Sequence, residues 1–416
     1  MIKMFTIEGK YNTAVCYAKV CEGEAIEQIK TMMDTAFSEG SRVRIMPDVH
    51  TGAGCTIGTT MTIVDKAVPN VVGVDIGCGM YTVELEDKEI DLGKLDEVCH
   101  FIPSGKCVWD GRIDKFELSA LRCFRILNDT KRLVRSLGTL GGGNHFIELD
   151  KASDGTLFLV IHSGSRNLGK QVAEYYQSLA VDLHKGKEEF FKKRDEIIRT
   201  YKEEGRRTEI QDAIKKLAKE FECTTLAVPE ELCWLYGSYL DDYLFDVKIC
   251  QDFARKNREL MAKVIVDKLG LTVKSSFHTI HNYIDTEEKI LRKGAIAAHK
   301  GEKVLIPINM RDGAILAVGR GNPEWNFSAP HGAGRVMSRT KAKATILLED
   351  FKKSMEGIYT TSVNENTIDE SPMAYKSLED IIDVVSESVD VIEVIKPVFN
   401  FKASEDGPCW RKKTQS

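Results

Sequence analysis

The chain has 416 residues, of which 43% are hydrophobic and 29% charged, with 10 prolines. That length and balance describe a soluble globular protein with one large core or two ordinary domains, and they exclude a disordered chain. The net charge of -5 excludes a uniformly basic nucleic-acid binder, so any basic surface must be local and offset elsewhere. Residues 1–90 read as short strands and Gly-rich turns around one helix-like stretch, EAIEQIKTMMDTAFSEG. Within them, SRVRIMPDVHTGAGCTIGTTMTI and VPNVVGVDIGCGMYTVEL alternate β-branched residues with turn residues. A second glycine-dense block, GTLGGGNHFIELDKASDGTLFLVIHSGSRNLG, reads as strand, turn at Ser153-Asp154-Gly155, strand and Gly-rich loop. From about 170 to 268 the character becomes helical, with dense mixed charge that suits solvent-exposed helices carrying i,i+4 ion pairs. A third block, RKGAIAAHKGEKVLIPINMRDGAILAVGRGNPEWNFSAPHGAGR, returns to strands, and RVMSRTKAKATILLEDFKKSM then reads as one helix. No internal repeat or low-complexity tract interrupts this order. The expectation is a single α+β catalytic domain over 1–416, with mixed β-sheets and a charged helical insertion at about 170–268.

The 11 cysteines show no paired spacing, and an odd count leaves no complete disulfide framework. The first residues, MIKMFTIEGKYNTAVCYAKV, lack a basic segment followed by an apolar run. The expectation is therefore a cytoplasmic protein without a membrane partner, most of its thiols free.

The run VVGVDIGCGM sets Asp75 and Cys78 three positions apart on a Gly-rich bend where a strand stops. His145 opens the strand HFIELD and His162 closes TLFLVIH, so a turn between them would bring their histidine-bearing ends together. His281 follows in HTIHNYID, His331 in SAPHGAGR and His50 in MPDVHTG. Each histidine alone reads as an ordinary core or surface residue. Together with Asp75 and Cys78, however, they offer carboxylate, thiolate and imidazole donors suited to borderline transition metals. A thiolate can bridge two cations, so one or two metals fit, and these ligand types suggest Zn²⁺ at least as readily as Mn²⁺.

HGAGR has a separate logic. Gly332 and Gly334 free backbone N–H groups at an expected helix start, with Arg335 and Arg339 on one helical face. Lys341 and Lys343 follow, and no acid lies between 331 and 343, which makes a phosphate-binding signature. A histidine there can act as a general acid, or as a nucleophile that takes a phosphoryl or nucleotidyl group. HSGSRNLG repeats the idea with Ser163, Ser165 and Arg166 before the helix KQVAEYYQSLA.

The stretches MPDVHTGAGCTIG, VVGVDIGCGM, GTLGGGNHF, HSGSRNLG, HNY, SAPHGAGRVMSR and DESPMAYKSLEDII, taken in this order, resemble the RtcB-type RNA ligases of tRNA splicing and RNA repair. The resemblance implies an unusual α+β fold and a GTP- and Mn²⁺-dependent ligase. Such an enzyme joins an RNA 3′-phosphate or 2′,3′-cyclic phosphate to a 5′-hydroxyl through a guanylate–histidine intermediate. By the same resemblance His331 would be the nucleophile, oriented by Asp48. Asp75, Cys78, His145, His162 and His281 would hold two Mn²⁺ ions, with Cys78 bridging. Asn144, Glu148, Gly332, Gly334, Arg335, Tyr375 and Lys402 would contact the nucleotide: Glu148 reads the guanine edge, Tyr375 stacks on the base and Lys402 reaches the guanine. Arg166, like Arg335, would hold phosphate. RNA is the implied partner, and the resemblance also admits an accessory activating protein. The rival readings are a metal-dependent phosphodiesterase or phosphatase, and a non-catalytic RNA-binding member of the family. One departure stands out: PINMR, Pro307 to Arg311, replaces a PGSMG-like stretch, so Arg311 would either engage a phosphate or fold outward into solvent.

Overall fold

Strand register decides which of these residues meet. The computed structural model of the chain describes residues 4–19, 21–221 and 224–402 and has a mixed α+β fold. One six-stranded sheet runs in the spatial order Phe5–Glu8, Thr13–Cys16, Val43–His50, Ile57–Thr62, Ile290–Lys293 and Asn282–Asp285. A seven-stranded sheet runs Val273–Ile280, Gly79–Leu85, Leu157–Ser163, Phe146–Lys151, Val389–Lys402, Gly313–Gly319 and Lys303–Asn309.

In the second sheet every neighbouring pair is antiparallel. The hairpin of Phe146–Lys151 and Leu157–Ser163 turns where the Ser-Asp-Gly cluster predicts, with Gly155 at φ +84°. Its register pairs Phe146 with His162, which puts His145 and His162 at the same end. Gly79 pairs with Ser163 on one side and with Ile280 on the other, so Cys78 and His281 arrive at that end too. Lys402 pairs with Phe146 and Asn400 with Glu148, which carries the last described strand to the same place. A hairpin and three strands far from it in sequence thus converge on one sheet end.

The apolar faces account for the rest. The 33-residue helix Gly237–Leu269 buries Tyr243, Val247, Cys250 and Phe253 with Leu168, Val172 and Tyr176 of the helix Arg166–His184. About two turns further on, its Met261, Ala262 and Ile265 pack on the seven-stranded sheet. Gly270 ends it in the left-handed conformation at φ +67°. Within the charged 170–268 segment the helices Glu188–Glu203 and Ile210–Glu220 bury no residue. Lys192–Glu188 at 3.0 Å and Lys193–Glu189 at 3.1 Å are i,i+4 pairs on their exposed surface. Among the described residues eight cysteines are free thiols, and no helix is long and apolar enough to cross a membrane.

One local expectation fails. Residues 335–355 do not form one helix: Arg335 sits in an extended bridge with Tyr375, and two short helices follow, Arg339–Thr345 and Leu348–Ser354. Ser338 starts the first by accepting from Lys341 N at 3.2 Å. Ile346 and Leu347 then adopt extended angles that separate it from the second. Gly332 and Gly334 therefore belong to a loop, and Arg335 and Arg339 do not share a helical face.

Candidate active site

The sheet end holds two overlapping groups of donor atoms. Cys78, His162 and His281 form one and Asp75, Cys78 and His145 the other, the ligand atoms of each lying within 4.8 Å of one another. Cys78 Sγ is the shared vertex, 3.5 Å from His145 Nε2 and 3.3 Å from His162 Nε2. Asp75 Oδ2 lies 3.0 Å from His145 Nε2, and His281 Nε2 lies 3.4 Å from His162 Nε2. Both hairpin histidines are aimed by their other ring nitrogen: His145 Nδ1 donates to Leu140 O at 2.9 Å, and His162 Nδ1 to Asn144 O at 3.1 Å. That second set of bonds turns each Nε2 inward, the orientation metal-binding histidines use.

Local backbone makes room for this crowding. A Cβ on Gly164 would fall 2.0 Å from Asp75 Oδ1. One on Gly141, at φ +89°, would fall 1.9 Å from Arg166 Nη1. Beneath the donors lies Arg258, fully buried in the long helix, whose Nη1 donates to Gly77 O and to Ser163 O at 2.7 Å each. It ties the residue before Cys78 to the residue after His162. Neighbouring Asn257 Nδ2 donates to Ser163 Oγ and Gly164 O, both at 3.1 Å.

The electrostatics suit a cation. Burial would raise Asp75, but the His145 hydrogen bond and charge, with Cys78 and Arg166, outweigh it and hold the carboxyl at about 2. Burial and the Asp75 charge push the Cys78 thiol well up. Burial drives His162 and His281 well down, so both are neutral and ready to donate a lone pair. A carboxylate, a thiol that must give up its proton and three imidazoles fit divalent transition metals.

Beside the donors opens a cavity of about 230 Å³. His331 stands at its wall, its ring centre 5.1 Å from that of His281. His331 Nδ1 donates to Asp48 Oδ2 at 2.7 Å, and its backbone N donates to the same oxygen at 3.1 Å. Asp48 is fully buried, which leaves Nε2 as the ring nitrogen free to react. Gly332, Gly334, Asn144 and Glu148 line the same cavity, as do Pro307 to Met310.

Along the same cavity an ion-pair cluster gathers Lys402, Arg335 and Arg339 around the buried Glu370. Glu370 Oε2 receives Lys402 Nζ, and it also receives Tyr375 OH at 2.8 Å. Glu370 Oε1 pairs with Arg339 Nη1 and, at 3.5 Å, with Arg335 Nη1. The Arg335 guanidinium also lies 5.0 Å from the Tyr375 ring centre and donates to Asp369 O at 2.6 Å. Burial would raise Glu370, but Lys402 and Arg339 outweigh it and hold the carboxyl at about 2.

Two sequence-predicted residues sit differently from the rest. Arg166 is on the Asp75 side, with Nη2 on Gly105 O at 2.7 Å and Nε on Thr139 Oγ1 at 3.1 Å. Arg311 takes the outward option, bound through Nε and Nη2 to Asp312 at 2.9 Å each and half exposed. Sequence reasoning gave no role to Glu370 or Asn400 and grouped His50 with the metal-binding imidazoles, whereas the structure leaves His50 outside both donor groups; all three line the cavity. A signal existed for two of them: Glu370 lies inside the DESPMAYK stretch, and Asn400 precedes Lys402 by two in a strand.

Comparison with known proteins bears on the whole chain. A family model described as tRNA-splicing ligase RtcB matches residues 28–107 and 125–403. The chain is 31% identical over 399 residues to the RNA-splicing ligase RtcB of Escherichia coli (strain K12), covering 86% of this chain and 88% of that one. It is 26% identical to the tRNA-splicing ligase RtcB of Aeropyrum pernix, covering 89% of this chain and 90% of that one. Against the RNA-splicing ligase RtcB of Mycobacterium tuberculosis it is 25% identical, covering 82% of this chain and 92% of that one.

Proposed function

From the premise that this chain belongs to the RtcB family and is a ligase, we propose that it joins RNA 3′-phosphate or 2′,3′-cyclic phosphate ends to 5′-hydroxyl ends. GTP is the cosubstrate, Mn²⁺ the metal and His331 the nucleophile. The observation that carries the reading is the Asp48–His331 pair at 2.7 Å on the wall of a cavity that also contains His162 and His281. A hydrolase needs the metals and the phosphate-binding groups but has no use for a guanylated histidine.

Asp48 holds the Nδ1 proton of His331, which leaves the Nε2 lone pair to attack the α-phosphorus of GTP. Attack forms the Nε2–P bond and breaks the bond to pyrophosphate, which leaves. An oxygen of the RNA 3′-phosphate then attacks the same phosphorus and displaces His331, which recovers its lone pair. The 5′-hydroxyl finally attacks the activated 3′-phosphate, closing the phosphodiester and releasing GMP. Asp75, Cys78, His145, His162 and His281 would hold two divalent ions, which when bound supply charge neutralisation at the reacting phosphates. Arg335 and Arg166 contribute fixed positive charge, Tyr375 and Lys402 bound the base end, and Glu148 accepts from the base. A 2′,3′-cyclic end is opened to the 3′-phosphate before these steps.

The test supplies the full chain with GTP, Mn²⁺ and an RNA pair bearing a 3′-phosphate and a 5′-hydroxyl. Joined RNA with release of GMP and pyrophosphate is the expected outcome. Free phosphate without joining would favour the phosphatase reading. Binding of RNA without turnover would favour a non-catalytic member.

A further inference from the structure

The base end of the cavity is backed by a carboxyl pair to which the chemistry above gives no task. Glu148 and Asp150 are two residues apart on the strand Phe146–Lys151, so their side chains leave the same face of the sheet. Both are buried, and Asp150 has no exposure at all. Neither Asp150 carboxyl oxygen meets a donor among the described residues, and the group beside it is the carboxyl of Glu148. Two buried carboxyls within hydrogen-bond reach do not both ionise; they share a proton. Burial and the Glu148 charge push Asp150 far up, whereas burial raises Glu148 only to about 7 against the pull of Asn400, Asp150 and Lys402. Asp150 is therefore the member that burial keeps protonated, two residues along the same sheet face from Glu148, where its O–H can turn to that carboxylate.

Asn400 stands on the other side. It is the register partner of Glu148 in the ladder with Val389–Lys402, and its Nδ2 donates to Glu148 Oε2. A carboxylate accepts only, so the amide nitrogen must face it. Glu148 is thus held by the Asn400 N–H beside it on the cavity wall and by the Asp150 O–H further along its own strand.

We infer that Asp150 and Asn400 are positioning residues that set base specificity, fixing Glu148 so that its remaining acceptor edge faces the cavity. This rests on the reading of the cavity as a GTP site. Guanine presents a ring N–H beside an exocyclic amine, two donors that a fixed carboxylate accepts together. Adenine presents an amine beside a bare ring nitrogen, whose lone pair would oppose the carboxylate. Discrimination of this kind needs the carboxylate held still, because a swinging one can turn away from the wrong base.

The experiment measures equilibrium binding of GTP and of ATP to the full chain as wild type, Asn400→Leu, Asp150→Leu and Asp150→Asn, with melting curves on each. Wild type should prefer GTP, and both leucine variants should lose about tenfold or more of the GTP-to-ATP ratio. Asp150→Asn keeps an N–H that can donate to Glu148 and should retain the ratio, a rescue that a merely structural role would not produce. Should a leucine variant fail to fold, alanine at the same position reads the same ratio. An unchanged ratio in folded Asn400 and Asp150 variants overturns the inference while leaving the GTP reading intact. Absence of any GTP preference in the wild type overturns the GTP reading and the inference with it.

Discussion

Replacing Cys78 by alanine removes one donor from each of the two ligand groups at once, whereas His145→Ala or His281→Ala removes one from a single group. After Cys78→Ala, Asp75 and His145 remain on one side and His162 and His281 on the other. Mutating the outer partners of metal ligands costs about 10–100-fold in affinity, so deleting a direct thiolate from both sites should cost more than about 100-fold at each. The thiol also carries a proton signature. Burial and Asp75 keep Cys78 protonated in the free protein, so loading the site must expel that proton. Calorimetric titration with Mn²⁺ in two buffers of different ionisation enthalpy reads both quantities, and metal analysis after gel filtration gives the stoichiometry. Wild type should take up two ions and release a proton, His145→Ala should keep one tight ion, and Cys78→Ala none. A Cys78→Ala protein that still binds two ions with affinity within a few-fold of wild type would refute the shared-ligand arrangement.

Glu370→Gln should lower the melting temperature, because it strands the buried Lys402 ammonium and should cost about 3–5 kcal/mol; it should also raise the KM for GTP through Tyr375 and Lys402. An unchanged melting curve would contradict that reading of the cluster. Glu148→Gln tests a pH effect of known sign. With its folded carboxyl raised to about 7 from 4.5, Glu148 withdraws up to ~3 kcal/mol of stability as pH rises from about 4.5 to 7. The variant should therefore melt higher than wild type at pH 8 and close to it at pH 4, while binding guanosine more weakly; equal melting at both pH values would sink the assignment. Arg311→Gly should leave the KM for GTP unchanged, since the Arg311 side chain is tied to Asp312 on the outside. A several-fold rise would return Arg311 to the phosphate path.

How much of this was legible in the sequence depended on whether the signal was local. His145 and His162 flank a hairpin whose turn residues are adjacent in sequence, so their meeting could be read directly. The approach of His281 to Cys78 could not, because it depends on Gly79 pairing with Ile280, some two hundred residues apart, and no local pattern encodes that register. Resemblance to a family supplied what periodicity lacked there. The single helix expected over 335–355 failed because a charged, alanine-containing run outweighed the Ser338 cap and the break at Ile346–Leu347. Glu370 and Asp150 escaped notice for another reason. An acidic residue reads as solvent-facing until its neighbours are known, and the groups that enclose these two come from distant segments.

The central claim is a covalent bond between His331 and GMP. Incubating the full chain with α-labelled GTP and Mn²⁺, then mapping the label by mass spectrometry under mildly alkaline conditions, tests it directly. The expected result is an acid-labile GMP adduct on the peptide containing His331, absent from His331→Ala even though that variant still binds Mn²⁺, and strongly reduced in Asp48→Asn. Label on any other residue, or normal labelling of His331→Ala, would contradict it.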